Sequence, residues 1–373
     1  AGTSLTTGDR NIAIGYRTLA LEDTGSDNVA IGQHALEDLN YAGSGHNVAI
    51  GSDAGRDITT GVTNTLIGSY CGDALTTGIR NVALGYYALT AEDGHGYNTA
   101  IGTYTLANQN AGADAYNVAV GYEAGYDITT GIYNTLVGGG AGDNLTTGAR
   151  NVAIGFNTLG NEDAHGRNVA IGFDALALQD AGADAYNVAI GYSAGGTVST
   201  GTKNVIIGGL AGDALTTGGF NIAIGYAALS TEDSHGHNIA IGREALYAQD
   251  AGADAYNVAI GDLAGKSVTT GTNNTIIGGN AGDALTIGSW NVAVGKDALG
   301  ATDESSYNVA VGGQSMLTNV DGSRNVALGY GSLQNMNPLA ATDTYNIGIG
   351  FNAGLSVSTG TYNVLIGGLA GDA

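Results

Sequence analysis

The sequence contains little cysteine, proline or charge, and each shortage excludes a class of protein. Its one cysteine, Cys71, cannot form an intrachain disulfide. Glycine is abundant but lacks the three-residue period of collagen. No apolar run is long enough to span a membrane, so no membrane insertion is expected. Neither an initiator methionine nor a signal-peptide pattern opens the chain, and we expect a mature or excised segment.

Basic residues are the scarcest charged group. The chain has 11 Lys and Arg residues against 34 Asp and Glu residues, and its formal net charge is −23. Binding to nucleic acid or to an anionic membrane needs a basic face, so neither partner is expected. We interpret the acidity as a device for solubility. Calcium binding and life in salty water remain alternatives.

The residues that are present fall at fixed places, which predicts a repeat fold rather than disorder. A motif of Asn, a β-branched residue, a small residue, an aliphatic residue and Gly occurs 21 times. The intervals between successive asparagines are 17, 19, 17 and 17, and this set of four coils recurs as a block. The blocks start near 11, 81, 151, 221 and 291. We predict one continuous domain over residues 1–373.

The last block departs from this spacing. Its intervals are 17, 17, 21 and 17, which indicates one extra coil near residues 325–345. The only proline, Pro338, lies in the enlarged loop of that coil.

Each coil of about 17 residues can bury its apolar side chains only by stacking on its neighbours. The sequence therefore predicts an all-β fold, a parallel β-solenoid of about 21 coils. The Asn is expected to form a hydrogen-bonded ladder, and the invariant Gly a backbone turn or close approach. In the first five coils these structural positions are Asn11, Asn28, Asn47, Asn64, Asn81 and Gly15, Gly32, Gly51, Gly68, Gly85.

Strand alternation places the β-branched and aliphatic residues of the motif on one face and Ala on the other. Because so short a coil leaves little room inside, we predict that the Ala face is a second tight contact surface, formed by close packing of several chains about an axis. In every fourth coil the Ala is replaced by a bulky residue such as Leu66, while the residue after the turn Gly is small, as at Ser69 and Gly139. We interpret this pair as volume compensation.

The motif NVAIG followed by Ala-Leu or Ala-Gly resembles the head repeat of trimeric autotransporter adhesins. It is similar also to the NxAIGxxAL…TTG arrays of phage tail fibres. This resemblance covers essentially the whole chain, and it implies a left-handed β-roll that assembles as a homotrimer. The longer coil and the recurrent four-coil block depart from the adhesin pattern.

Three loops carry residue types that could bind a metal. Glu-Asp-x-His recurs, with candidate ligands His95, His165 and His235. The alternative is a solvated loop that closes a coil, and the first block lacks the His. Calcium is considered for the Asp residues of AGDALTTG and AGADAYN, but their spacing matches no calcium motif, and turn formation is favoured.

Other residues are interpreted structurally. Cys71 is expected to be a packing residue. Tyrosines before the Asn and after the turn Gly are expected to stack as rings, with glycan or protein docking as the alternative. No catalytic residue or cofactor is predicted, and the chain is not expected to be an enzyme.

The functional prediction is a shaft or head segment of an extracellular fibre, on a virion or a cell surface, that supports attachment to a host receptor or glycan. The alternatives are a subunit of a head-to-tail filament and an ice- or glycan-binding solenoid.

Overall fold

The structure, a computed structural model, describes residues 1–338 and 340–372. It confirms the predicted all-β parallel solenoid: 21 three-residue strands follow the 21 motif asparagines, and the described residues contain no helix. None of them therefore forms a helix able to cross a membrane. The chain comprises two compact units, Ala1–Tyr186 with ten strands and Asn187–Ala373 with thirteen.

In chain order the strands are β1 (Ile12–Ile14), β2 (Val29–Ile31), β3 (Val48–Ile50), β4 (Thr65–Ile67), β5 (Val82–Leu84), β6 (Thr99–Ile101), β7 (Val118–Val120), β8 (Thr135–Val137), β9 (Val152–Ile154), β10 (Val169–Ile171), β11 (Val188–Ile190), β12 (Val205–Ile207), β13 (Ile222–Ile224), β14 (Ile239–Ile241), β15 (Val258–Ile260), β16 (Thr275–Ile277), β17 (Val292–Val294), β18 (Val309–Val311), β19 (Gly322–Ser323), β20 (Val326–Leu328), β21 (Thr342–Asp343), β22 (Ile347–Ile349) and β23 (Val364–Ile366).

Within each unit the motif strands pair in parallel and in register with the strand one coil away. Val29 lies opposite Val48, and Ala30 lies opposite Ala49. The same pairing recurs from β11 to β12 and onward. Every position of a coil consequently faces its own equivalent in the next coil, which is why the sequence repeats position by position.

The motif asparagines form a buried hydrogen-bonded column. The backbone N–H of Asn64 donates to Oδ1 of Asn47 at 3.0 Å, and Nδ2 of Asn64 donates to the carbonyl of Gly78 at 2.8 Å. Both side chains are fully buried, so the column satisfies polar groups that would otherwise destabilise the interior. The same backbone-to-Oδ1 bonds link Asn11, Asn28, Asn47, Asn64 and Asn81.

The turn glycines form a second column, in which backbone approaches backbone. Gly51 has a φ of +142°, and a Cβ at this position would lie 2.4 Å from the carbonyl oxygen of Gly68. That separation is too short for any side chain, and the φ also favours glycine. A Cβ would meet the next turn glycine's carbonyl oxygen at 2.2 to 2.4 Å at Gly15, Gly32, Gly51, Gly68 and Gly85.

The assignment of the Ala face to contact between chains is wrong. The central residue of each internal motif strand is buried and points into the solenoid, and the alanines among them, such as Ala30, Ala49 and Ala83, are fully buried within one chain. The β-branched and aliphatic residues on either side of it point outward and are exposed or half-exposed. In most coils only a small side chain fits at this central position, because further side chains of the same narrow coil fill the rest of the interior.

Those filling side chains alternate along the chain. In two coils of each block a Leu four residues after the turn Gly fills the interior from a left-handed backbone, as at Leu36 with a φ of +49°. In the other coils Gly replaces it, except that Met316 occupies the position in the last block. A Cβ on Gly55 or Gly72 would lie 2.7 Å or 3.0 Å from a methyl group of Leu66.

This arrangement corrects the predicted volume compensation. Leu66 points inward whereas Ser69 and Gly139 lie on the outer side of the strand wall, so the pair cannot share a layer. The space for Leu66 is provided by Gly55 and Gly72.

The extra coil of the last block is present, with β20 as its strand. The enlarged loop adds a feature that the sequence did not predict, because β21 pairs in parallel with β19 of the preceding coil. Cys71 is fully buried, and its Sγ lies 3.1 Å from the carbonyl of Ala83. Burial raises the pKa of this thiol to about 12, in agreement with a packing role.

The glycine column generates a stability prediction. We expect Gly51→Ala to destabilise the chain by about 3 kcal/mol or more, because the new Cβ meets backbone atoms that cannot move independently. Gly112→Ala is the matched control: its φ is +65°, but no atom lies within 4 Å of its Cβ position. The control should cost about 1 kcal/mol, as expected from its φ alone. Denaturant unfolding followed by circular dichroism measures both, and equal losses would contradict the close-approach explanation.

Candidate functional site

The motif strands present an apolar face on their outer side, to which no role has yet been assigned. In each coil it consists of four positions: the residue before the Asn, the two outward residues of the strand, and the residue after the turn Gly. We call this surface the outer face. In the coil of β7 these residues are Tyr116, Val118, Val120 and Tyr122, of which Tyr122 is 58% exposed.

Several coils are apolar across all four positions. The coil of β13 presents Phe220, Ile222, Ile224 and Tyr226, and its Tyr226 is 56% exposed. Because coils stack in register, each position continues as a column along the unit. Monomeric proteins rarely expose contiguous apolar surface of this kind, and large patches usually mark sites of association.

The two marginal columns contain the predicted aromatic stacks. Tyr97 stacks on Tyr116 with ring centroids 4.7 Å apart, and Tyr116 stacks on Tyr133 at 5.6 Å. On the other margin Phe156 stacks on Phe173 at 5.5 Å. The ring-on-ring interpretation is thus confirmed for these residues, and the stacks cover ring faces that a sugar would otherwise contact.

Basic residues are concentrated on the same margins. Eight of the 11 Lys and Arg residues of the sequence occupy marginal positions of the outer face: Arg10, Arg80, Arg150, Arg167, Lys203, Arg243, Lys296 and Arg324. Several lie over aromatic rings of the column, as Arg324 does at 4.8 Å from the ring centroid of Tyr307. The strong negative charge of the chain therefore resides mainly elsewhere, in the loops.

The predicted histidines lie beside buried glutamates. His95, His165 and His235 are partly exposed, and their Nδ1 atoms lie 3.5, 3.8 and 3.3 Å from Oε1 of Glu92, Glu162 and Glu232. The description of this loop as solvated is wrong for the glutamates, whose side chains are completely buried. Oε1 of each accepts a hydrogen bond from the backbone N–H of its His at 3.0 to 3.1 Å.

Burial dominates the electrostatics of these glutamates. It raises the pKa of Glu162 to about 7, and it raises the pKa of Glu92 and of Glu232. These glutamates belong to the Glu-Asp-x-His pattern that the sequence predicts as a candidate metal site, but their burial was not predicted, because the pattern was interpreted as a loop of its own. Alignment on the Asn would have predicted the burial, since each Glu occupies the position in its coil that Leu75 occupies in another coil.

Three of the calcium candidates contact the preceding coil. Asp114, Asp184 and Asp254 of AGADAYN each accept a hydrogen bond at Oδ1 from a glycine N–H in the preceding coil, at 3.1, 3.2 and 2.9 Å. These bonds join the loops of neighbouring coils rather than closing a turn within one loop.

The aromatic column generates a second stability prediction. Tyr116→Ala should lower the free energy of unfolding by about 1–2 kcal/mol, because it removes two stacked ring pairs. Tyr116→Phe keeps both rings and should change it by less than about 0.5 kcal/mol. Both variants are measured by denaturant unfolding. A similar loss in the two variants would indicate that the hydroxyl, rather than stacking, stabilises the column.

Comparison with known proteins does not identify the chain. The sequence matches no protein-family model and no curated protein. A function must consequently be argued from the geometry of the outer face and of the buried glutamates.

Proposed function

We propose that the chain is the shaft or head segment of an elongated extracellular fibre, on a virion or a cell surface, and that it assembles as a homotrimer. The observation that carries the proposal is the outer face: aliphatic and aromatic side chains remain exposed along both units of a chain that is otherwise rich in acidic residues. Covering this face would remove apolar surface from water, which stabilises association by roughly 25 cal/mol for each Å² buried.

The periodicity of the outer face favours a second copy as its occupant. Its columns repeat once per coil, so a complementary surface needs the same repeat along its whole length. Another copy of this chain has that repeat. Charge supports the same partner, because basic margins on one copy can lie against the acidic loops of another. The resemblance to trimeric adhesins and tail fibres favours three copies.

The proposed role is mechanical. Parallel ladders, the buried Asn column and the Gly column fix each coil on the next by hydrogen bonds and close contact. Such a segment can support attachment at a distance, with receptor or glycan contacts made by loops or by another part of the fibre.

The ice- and glycan-binding alternatives receive less support from the geometry. Threonine hydroxyls of the TTG turns donate to carbonyls of the next coil, as Thr76 Oγ1 does to Asp93 at 2.8 Å and Thr146 Oγ1 to Asp163 at 2.9 Å. Those hydroxyls are oriented along the solenoid rather than toward an ice lattice. The filament alternative differs from the trimer in mass and is distinguished by the experiment below.

Multi-angle light scattering on the purified chain tests the proposal. We expect a discrete particle of three times 37.0 kDa that is independent of concentration. A combined variant with Val82→Asp, Val118→Asp and Val152→Asp should shift the mass toward 37.0 kDa, because it places charges on the outer face.

The matched control carries the same number of new charges on exposed loops, at Leu21→Asp, Leu178→Asp and Ile287→Asp. It should keep the mass of the unmodified chain. A monomeric unmodified chain would overturn the proposal, and a mass that grows with concentration would favour the filament.

A further inference from the structure

The buried glutamates occupy a column that elsewhere in the chain is apolar or holds a neutral side chain. At the equivalent position after the motif Asn, other coils bury Ile58, Leu75, Ile128 and Leu145. A carboxylate there costs several kcal/mol unless its charge is compensated. Three coils hold such a residue, at Glu92, Glu162 and Glu232, and its charge can be compensated by a proton or by a bound cation.

The structure leaves polar atoms at these glutamates without a partner. Among the described residues, the buried Oε2 atoms of Glu92, Glu162 and Glu232 accept no hydrogen bond. The buried Nδ1 atoms of His95 and His165 likewise make no hydrogen bond, although they lie 3.5 and 3.8 Å from Oε1 of Glu92 and Glu162. The Asn column does not supply the missing donor at Glu92. The side-chain amide of Asn98, the first residue of the next coil, donates no hydrogen bond to Oε2 or to any other acceptor among the described residues.

The first block is an internal comparison. Its equivalent residue, Glu22, is also completely buried, but the loop has Gly25 where the others have His. Both oxygens of Glu22 are paired: Oε1 accepts from the N–H of Gly25 at 2.6 Å, and Oε2 from the N–H of Tyr41 at 3.2 Å. An unsatisfied oxygen thus occurs where the His is present and not where it is absent.

The same glutamates and histidines belong to clusters of side chains that can ligate a metal. Glu162, Asp163, His165 and Asp180 each place one ligand atom within 4.8 Å of the others, and Glu232, Asp233, His235 and Asp250 repeat this set. The third cluster, Glu92, Asp93 and His95, has Asn110 at the position of the fourth ligand.

We propose that the clusters around His165 and His235 each bind one divalent transition-metal ion of the zinc type, and that the cluster around His95 forms a weaker third site. An imidazole together with carboxylates suits zinc rather than calcium, which prefers oxygen ligands alone. Two ligands of one such ion lie no more than about 4.2 Å apart. The exposed Asp side chains can close the remaining distance by changing rotamer.

Each ion would compensate a buried carboxylate and cross-link two neighbouring coils. Asp180 lies one coil after Glu162, and Asp250 lies one coil after Glu232. The metal would therefore act within one chain, so the inference is independent of the oligomeric state and can fail or succeed separately from it.

Isothermal titration of the tag-free, chelator-treated chain with zinc chloride tests the proposal, with calcium chloride as the comparison ion. We expect two tighter zinc sites and one weaker site per chain, with no comparable calcium binding. The variant H95G/H165G/H235G copies Gly25 of the first block and should weaken zinc binding at least about tenfold. Circular dichroism verifies that the solenoid is retained.

A second variant protects the test against misfolding. D180N/D250N changes exposed side chains to the residue type present at Asn110 and should convert both tighter sites to the weaker affinity. Zinc should also raise the unfolding midpoint of the unmodified chain more than that of either variant. The proposal is overturned if the unmodified chain binds no zinc at micromolar concentration, or if the variants bind it equally well.

Discussion

Every coil of this molecule must stack on a neighbour in which the same position lies directly opposite. This in-register stacking decides which residues each position can hold. Gly51 cannot gain a side chain because the carbonyl of Gly68 lies where its Cβ would be. Asn64 cannot lose its amide without leaving neighbouring backbone and side-chain groups unpaired. The sequence repeats because each coil makes the same contacts with the next coil.

The same stacking determines which side chains are left outside. Within each coil the Asn, the central Ala and either an inward Leu or an Ile fill a narrow interior, as Asn47, Ala49 and Ile58 do. The larger aliphatic residues of the strand then have no place inside and form the outer face. An apolar outer face on a strongly acidic chain is the feature that the proposed trimer accounts for.

The strand positions, the coil count, the extra coil near 325–345 and the Asn ladder could be predicted because each follows from period and residue type. Which face of each strand lies inside the solenoid could not be predicted. Alternation separates Val118 and Val120 from Ala119, but it does not say which side is inside. That choice depends on Leu residues such as Leu106, which fill the interior from left-handed backbone conformations that propensity rules do not anticipate.

In the loops, two features could not be predicted from the sequence. The Glu-Asp-x-His pattern includes both Glu92 and His95, but the burial of Glu92 follows only when the coils are aligned on the Asn. The small β19–β21 pairing escaped prediction for a different reason: it depends on an enlarged loop that interrupts the period, and no second copy of that loop exists to reveal a pattern.

Hydroxyl-radical footprinting of the assembled chain, quantified by peptide mass spectrometry, tests most directly whether the outer face is covered by other copies. In an isolated chain Val118 and Ile154 are 38% and 37% exposed, Leu106 is fully buried, and Leu178 is 47% exposed in a loop. The account predicts that Val118 and Ile154 are protected to the level of Leu106. Oxidation at the level of Leu178 would show that the outer face is open to solvent and would contradict it.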